Sequence, residues 1–268
     1  MSLIAYSLDP SGVATLTLMR PERRNALDQS MVTELTQALR RVARDARARV
    51  VALAGAGAAF CAGGDIEWMR RVAADTLDAN ERDASLLAEL MQTLDALPKP
   101  TIARIHGAAF GGGVGLVACC DIAIAADSAS FCLSEVKIGL TPSIIGPYVL
   151  RAIGARQARR YFLTAEVISA AHARELGLVH EIAPAEELDA CVARLVDALL
   201  AGAPGAQAEA KASAALFADR PIDEGLMRET AKRIAARRAS AEGKEGLAAF
   251  LEKRPPSWRR ERNVDDVS

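Results

Sequence analysis

Short strand-like runs alternate with helix-period stripes as far as residue 126, and after about Pro184 no strand-like run is left. That order admits few folds. Repeated strand and helix units build an α/β body, and the remainder is helical. Residues 13–19 alternate partly and are rich in β-branched side chains, so they read as a strand ended by the polar Arg20-Pro21-Glu22-Arg23-Arg24-Asn25. Asp28 stands as N-cap before Met31, Leu35, Leu39 and Val42, a helical stripe spaced by four, four and three. Residues 49–54, 101–105 and 122–126 read as further strands. Leu86, Leu87, Leu90, Met91, Leu94 and Leu97 mark a helix stopped by Pro98 and Pro100. Helices are expected over 144–164 and 169–176, and a last short strand over 178–181. The stripe Leu188, Val192, Leu195, Val196 and Leu199 opens the helical part. The body is placed at 1–190 and the helical region at 191–268.

Composition narrows the function classes. Hydrophobic residues make up 51% and mean hydropathy is +0.11, enough for a sizeable core and against disorder. The net charge is −1, so no overall field draws the chain to nucleic acid or an anionic membrane. The Arg-rich stretches 228–238 and 254–262 read as solvated faces rather than an RNA footprint. The longest apolar run, residues 107–120, is shorter than a membrane span of about 20 residues. Five Cys without a CxxC pair, and only three His, argue against disulfide and zinc frameworks. With no basic n-region or long h-region at the start, a cytoplasmic setting is expected.

Four motifs carry candidate chemistry. Gly55-Ala56-Gly57-Ala58-Ala59-Phe60 half-matches a dinucleotide fingerprint, but Phe60 stands where the third Gly belongs and no helix opens from it. Cys61-Ala62-Gly63-Gly64-Asp65-Ile66 is a small-residue loop with Asp65 as N-cap. It reads either as a tight connection or as a ligand site built from main-chain donors. Gly111-Gly112-Gly113 precedes an apolar helix, which suits an anion or oxyanion at a positive helix end or close helix packing. Glu135 stands after Phe131 and Leu133. It is either a surface Glu paired with Lys137 or Arg151, the commoner case, or a functional carboxylate.

Taken in order, Arg20-Pro21-Glu22-Arg23-Arg24-Asn25-Ala26-Leu27, Ala62-Gly63-Gly64-Asp65, Gly111-Gly112-Gly113, Cys120-Asp121-Ile122, the Glu135 segment and residues 245–254 resemble the crotonase, or enoyl-CoA hydratase/isomerase, superfamily over nearly the whole chain. The resemblance implies a ββα spiral with a helical C-terminal trimerisation region, assembled as a homotrimer or hexamer. It implies an acyl-CoA thioester as substrate, with no cofactor beyond the coenzyme A that the substrate carries. Membrane and nucleic-acid partners are not expected.

By motif position, the resemblance puts the two main-chain donors to the thioester oxygen at Ala62 and Gly112, and the acid/base at Glu135. Where typical hydratases of the family carry a first Glu, this chain has Gly115, and the space so freed is expected to hold water or a bulkier acyl group. Gly63, Gly64, Asp65, Ile66 and Pro142 are expected around the substrate. Arg23 and Arg24 are candidates for the coenzyme A phosphates, and Phe250 and Lys253 for a neighbour's coenzyme A site. The run 131–142, with Pro147-Tyr148-Val149 and Phe110-Gly111-Gly112-Gly113-Val114-Gly115-Leu116, is similar to bacterial methylglutaconyl-CoA hydratases. Hydration of a 2,3-enoyl-CoA is therefore the expected reaction. Double-bond isomerisation by the same Glu is the alternative, and non-catalytic acyl-CoA or RNA binding a more distant one.

Overall fold

The computed structural model describes residues 2–218 and 220–259. β1 (Ile4–Leu8) and β2 (Val13–Leu18) form an antiparallel hairpin. A 3-10 turn, Pro21–Arg23, leads to α1 (Gln29–Arg44), whose first turn is capped where Asp28 Oδ1 accepts the Met31 N–H at 2.8 Å. Three turns of a spiral follow. The first is β3 (Val50–Gly55), β4 (Ala59–Cys61), α2 (Ile66–Ala73) and α3 (Leu77–Asp95). The second is β5 (Thr101–Ile105), β6 (Ala108–Phe110) and α4 (Gly112–Cys119). The third is β7 (Ile122–Ala126), β8 (Ser130–Cys132), a 3-10 turn Glu135–Ile138 and α5 (Gly146–Thr164), which is broken at Gly154. Then come β9 (Ile168–Ser169), α6 (Ala170–Leu176), β10 (Glu181–Ala183), α7 (Leu188–Ala201), α8 (Pro204–Phe217), α9 (Glu224–Ala239) and α10 (Ala241–Leu251).

Each turn lays one strand in a six-stranded sheet, ordered β1-β2-β3-β5-β7-β10, and one in a four-stranded sheet, ordered β4-β6-β8-β9. From β2 to β10 the large sheet is parallel. This is the expected ββα spiral with a helical C-terminal region. The near-continuous apolar strands follow from burial on both faces. Val51, Leu53, Ala103, Ile105, Ala123 and Ala125 face the main core, while Val50, Ala52, Ile102, Ile124 and Ala126 face a second cluster with Leu188 and Val196 of α7. The division expected at 190/191 thus falls inside α7, a helix that packs on the sheet. The last strand begins at Glu181 rather than 178, because Leu178 and Val179 are buried in the main core ahead of it.

Four arginines of the basic stretches in the helical region are paired locally. Arg228 pairs with Glu224, Arg233 with Glu209 and Glu229, Arg237 with Glu242, and Arg254 with Glu245 and Glu252. Residues 260–262 of the second stretch lie outside the described residues. Among the described residues no helix is long and apolar enough to cross a membrane.

Candidate active site

A cavity of about 270 Å³ opens where the loops after β4, β6 and β8 meet α2 and α3. Glu135, Gly64 and Gly112 line one side, with Leu140, Pro142 and Ile145; Trp68, Val72, Asn80, Asp83 and Leu87 line the side made by α2 and α3. The three short parallel strands of the small sheet deliver the three loops side by side. In addition, the Gly111 N–H donates to the Cys132 carbonyl at 2.8 Å, tying the glycine turn to the strand that ends before Glu135.

Glu135 begins its 3-10 turn, which Gly139 closes in the left-handed region. Neither surface partner holds it. Arg151 pairs with Asp95, and Lys137 makes no ion pair among the described residues. The surface reading is therefore corrected: Glu135 Oε2 is buried with no hydrogen-bond partner, and burial pushes the carboxyl above its ordinary range. Oε1 lies 3.4 Å from where a Cβ at Gly111 would stand. Gly111 itself has φ +47°, a conformation that favours glycine.

The main-chain donors require a second correction. The Ala62 N–H is spent on the Arg24 carbonyl at 2.9 Å, and Ala62 does not line the cavity. Leu27 pairs with Gly64 as an isolated parallel bridge: Leu27 N–H donates to Gly63 O at 2.7 Å and Asp65 N–H to Leu27 O at 2.8 Å. Those bonds use residues 63 and 65, so the Gly64 N–H turns to the opposite side. It donates to nothing among the described residues, as does the Gly112 N–H at the start of α4. Both glycines line the cavity with Glu135.

Gly115 requires the third. No space is left beside it: a Cβ there would stand 2.3 Å from Ile145 Cγ2, 2.9 Å from Ile145 Cβ and 3.1 Å from Met91 Cε. The glycine serves close packing of α4, and it does not line the cavity.

The other expected residues divide. Pro142 lines the cavity. Gly63, Asp65 and Ile66 do not: Gly63 turns the chain at φ +91°, and Ile66 is 78% exposed. Asp65 caps α2 by accepting from Glu67 N–H and Trp68 N–H at 3.0 and 3.1 Å. Arg23 is exposed, 3.5 Å from Glu67, and Arg24 is exposed at the left-handed end of its turn. Phe250, on α10, and Lys253, just beyond it, are exposed and away from the cavity.

Sequence reading missed Arg20, which holds the loop from beneath. Its guanidinium pairs with Asp28 and Asp65, both at 3.0 Å, and donates to Ala26 O at 2.8 Å. Burial opposes ionisation of Asp65, but the Trp68 N–H and Arg20 outweigh it and hold the carboxyl below its usual range. Arg20→Ala strands these carboxylates and is expected to cost about 3–5 kcal/mol. Thermal melting reads this as a drop of roughly 2–4 °C per kcal/mol. Because the folded Asp65 value is lowered, its contribution is present above the unfolded value of about 3.9 and is lost as pH falls through the folded value. A wild-type melting curve that holds steady below that value would contradict it.

The family model for enoyl-CoA hydratase/isomerase matches residues 9–261. The chain is 35% identical over 248 residues to the crotonyl-CoA hydratase of Syntrophomonas wolfei, covering 92% of this chain and 94% of that one. Its fold matches the crystal structure of an enoyl-CoA hydratase from Shewanella pealeana with a TM-score of 0.93 at 46% identity, over 96% of both chains. It also matches an enoyl-CoA hydratase of Mycobacterium smegmatis with a TM-score of 0.90 at 35% identity, over 96% of this chain and 99% of that one. With its ββα spiral and its three cavity-lining loops, the chain belongs to the enoyl-CoA hydratase/isomerase, or crotonase, superfamily.

Proposed function

We propose that the protein adds water across the 2,3 double bond of an enoyl-CoA, with Glu135 as the acid/base and the Gly64 and Gly112 N–H groups holding the thioester oxygen. The observation that carries this reading is the convergence on one cavity of two unspent main-chain donors and a half-buried carboxylate whose Oε2 is buried without a partner. As water attacks the β-carbon, negative charge moves onto the thioester oxygen. Preorganised donors stabilise it without reorganisation, each worth about 2.7–4 kcal/mol. The start of α4 adds its dipole at Gly112. Glu135 takes the water's proton and returns a proton to the α-carbon on the same face. No separate cofactor enters this scheme. Spectrophotometric turnover of a short panel of enoyl-CoA thioesters tests it.

Gly112→Pro deletes one donor at the first position of a helix, where proline is tolerated. It is expected to lower kcat by about 10²–10³-fold. Unchanged turnover in a folded variant would remove Gly112 from the oxyanion site.

Isomerisation stays as the second reading because Gly115 brings no carboxylate to the cavity, and one Glu suffices to move a proton between the α- and γ-carbons. A methylglutaconyl-CoA substrate draws support from the sequence resemblance alone; no Lys, Arg or His among the described residues lines the cavity to meet a distal carboxylate. Arg23 and Arg24, on the turn bonded to the Ala62 loop, are proposed for the coenzyme A phosphates.

Met227, Ile234, Leu247, Phe250 and Leu251 expose apolar side chains on α9 and α10. We infer that these helices assemble the protein into trimers or hexamers, with Phe250 and Lys253 brought to a neighbour. Sedimentation is expected to show no stable monomer at micromolar concentration; a monomer there would overturn this.

A further inference from the structure

Two main-chain donors serve one thioester oxygen only if both N–H groups aim at it, each from about 2.7–3.1 Å. Gly64 and Gly112 come from different turns of the spiral, and neither has a side chain to anchor it. Beside them the two segments meet backbone to backbone. A Cβ at Gly113 would stand 2.4 Å from the Cys61 carbonyl oxygen, and one at Gly63 would stand 2.8 Å from that of Phe110. Those contacts set how closely the segments approach. They do not turn either N–H toward the cavity.

One residue engages both donors. The main chain of Leu27 brackets Gly64: its N–H donates to Gly63 O at 2.7 Å, and its carbonyl accepts the Asp65 N–H at 2.8 Å. Its side chain reaches Gly112, where Cδ1 stands 3.0 Å from the place a Cβ would take. Apart from the chain neighbours and the backbone of α4, no other atom of the described residues comes within 4 Å of that point. Leu27 is 1% exposed and lines the cavity.

The segment that carries Leu27 is fixed on both sides. Fully buried Asn25 donates from Nδ2 to the Ala56 and Ala59 carbonyls, both at 2.8 Å. Arg20 donates to Ala26 O at 2.8 Å, and Asp28 caps α1 at Met31. A side chain held this way transmits position to what it touches.

We propose that Leu27 is the positioning residue of the oxyanion site: its main chain turns the Gly64 N–H, and its δ-methyl seats Gly112, so that the two donors share one oxygen. This rests on the reading of Gly64 and Gly112 as the donors. Leu27 moves no proton and acts through the two N–H groups. Misplacing a group in such a site by about 1 Å can cost about 100-fold in rate. A contact realised chiefly in the transition state shows in kcat rather than in KM.

Leu27→Val keeps the main-chain bridge, in which a β-branched residue is at home, and lacks the δ-methyl on Gly112. On crotonyl-CoA its kcat is expected to fall about 10–100-fold, with KM and the affinity for unreactive butyryl-CoA within about threefold of wild type. Infrared difference spectra of bound butyryl-CoA, labelled with carbon-13 at the thioester carbonyl, read the donors directly, because hydrogen bonds to that oxygen lower its stretching frequency. The wild-type band is expected below that of the free thioester, and the Leu27→Val band shifted back toward it. Leu27→Met refills the volume beside Gly112 and is expected to restore kcat to within about threefold of wild type. Leu39→Val is the packing control, since Leu39 on α1 is fully buried and does not line the cavity. It is expected to melt as early as Leu27→Val while keeping the wild-type kcat and carbonyl band.

A Leu27→Val variant with near-wild-type kcat, with its loss confined to KM, or with the wild-type carbonyl band overturns the proposal and leaves the hydratase reading standing. The same band change in Leu39→Val does so too. A wild type that hydrates no enoyl-CoA, or that leaves the carbonyl band at its free position, overturns the donor reading as well.

Discussion

Glu135→Gln is expected to lower kcat for enoyl-CoA hydration by about 10²–10⁴-fold, the range of general acid–base catalysis. Affinity for a saturated acyl-CoA should change little, because the amide fills the same volume beside Gly111. The amide cannot take the water's proton, and the buried Oε2 has no other partner to lose. The pH dependence follows from the same burial. The base must be ionised, and its carboxyl is held above the ordinary range. Activity should rise as pH climbs through that raised value, not at the pH where an exposed Glu titrates. Steady-state kinetics across pH check both points; a Gln variant at near-wild-type rate would remove Glu135 from the mechanism.

Gly115→Glu is expected to fail as a folded protein rather than restore a second acid/base. Its Cβ would meet both Cγ2 and Cβ of Ile145, so rotating the Ile145 side chain cannot relieve the clash, and Met91 blocks the other side. Overpacking of this kind costs about 1–3 kcal/mol, and a carboxylate forced into the apolar site between α3, α4 and Ile145 adds roughly as much again. The loss should be equal on crotonyl-CoA and on a branched enoyl-CoA, since the defect lies in packing and not in substrate room. Thermal melting, with parallel kinetics on both thioesters, checks this. A stable variant that discriminates between them would show that the position faces substrate after all.

The elements of the fold differ in how plainly the sequence shows them. The strands at 101–105 and 122–126 were legible because runs buried on both sheet faces are continuously apolar, and α1 because its stripe and Asp28 cap agree. β1 was not legible, since three of its five residues are exposed at the sheet edge. Nor was the first half of α3, where residues 77–85 carry no apolar stripe and so hid Asn80 and Asp83 from the site.

Within the loop, Ala62, Gly63 and Gly64 are all small, and composition alone does not say which N–H faces the cavity. The bridge to Leu27, more than thirty residues earlier, decides it in favour of Gly64. Likewise a missing side chain at 115 reads as space until Ile145, thirty residues later, is seen filling it. Glu135 and Gly112 were singled out through the family resemblance and not by their own residue types, since a Glu after apolar residues reads more often as a surface Glu and a Gly triplet equally as close helix packing. The supporting contacts come from distant parts of the chain and leave no local mark.

If Glu135 both takes the water's proton and returns one to the α-carbon, hydration over the two proposed main-chain donors is an addition to one face. The most direct test is product analysis after turnover of crotonyl-CoA in deuterium oxide. The expected product is a 3-hydroxyacyl-CoA carrying one deuterium at the α-carbon, added on the same face as the new hydroxyl. A product without the β-hydroxyl, or with hydroxyl and deuterium on opposite faces, would contradict it.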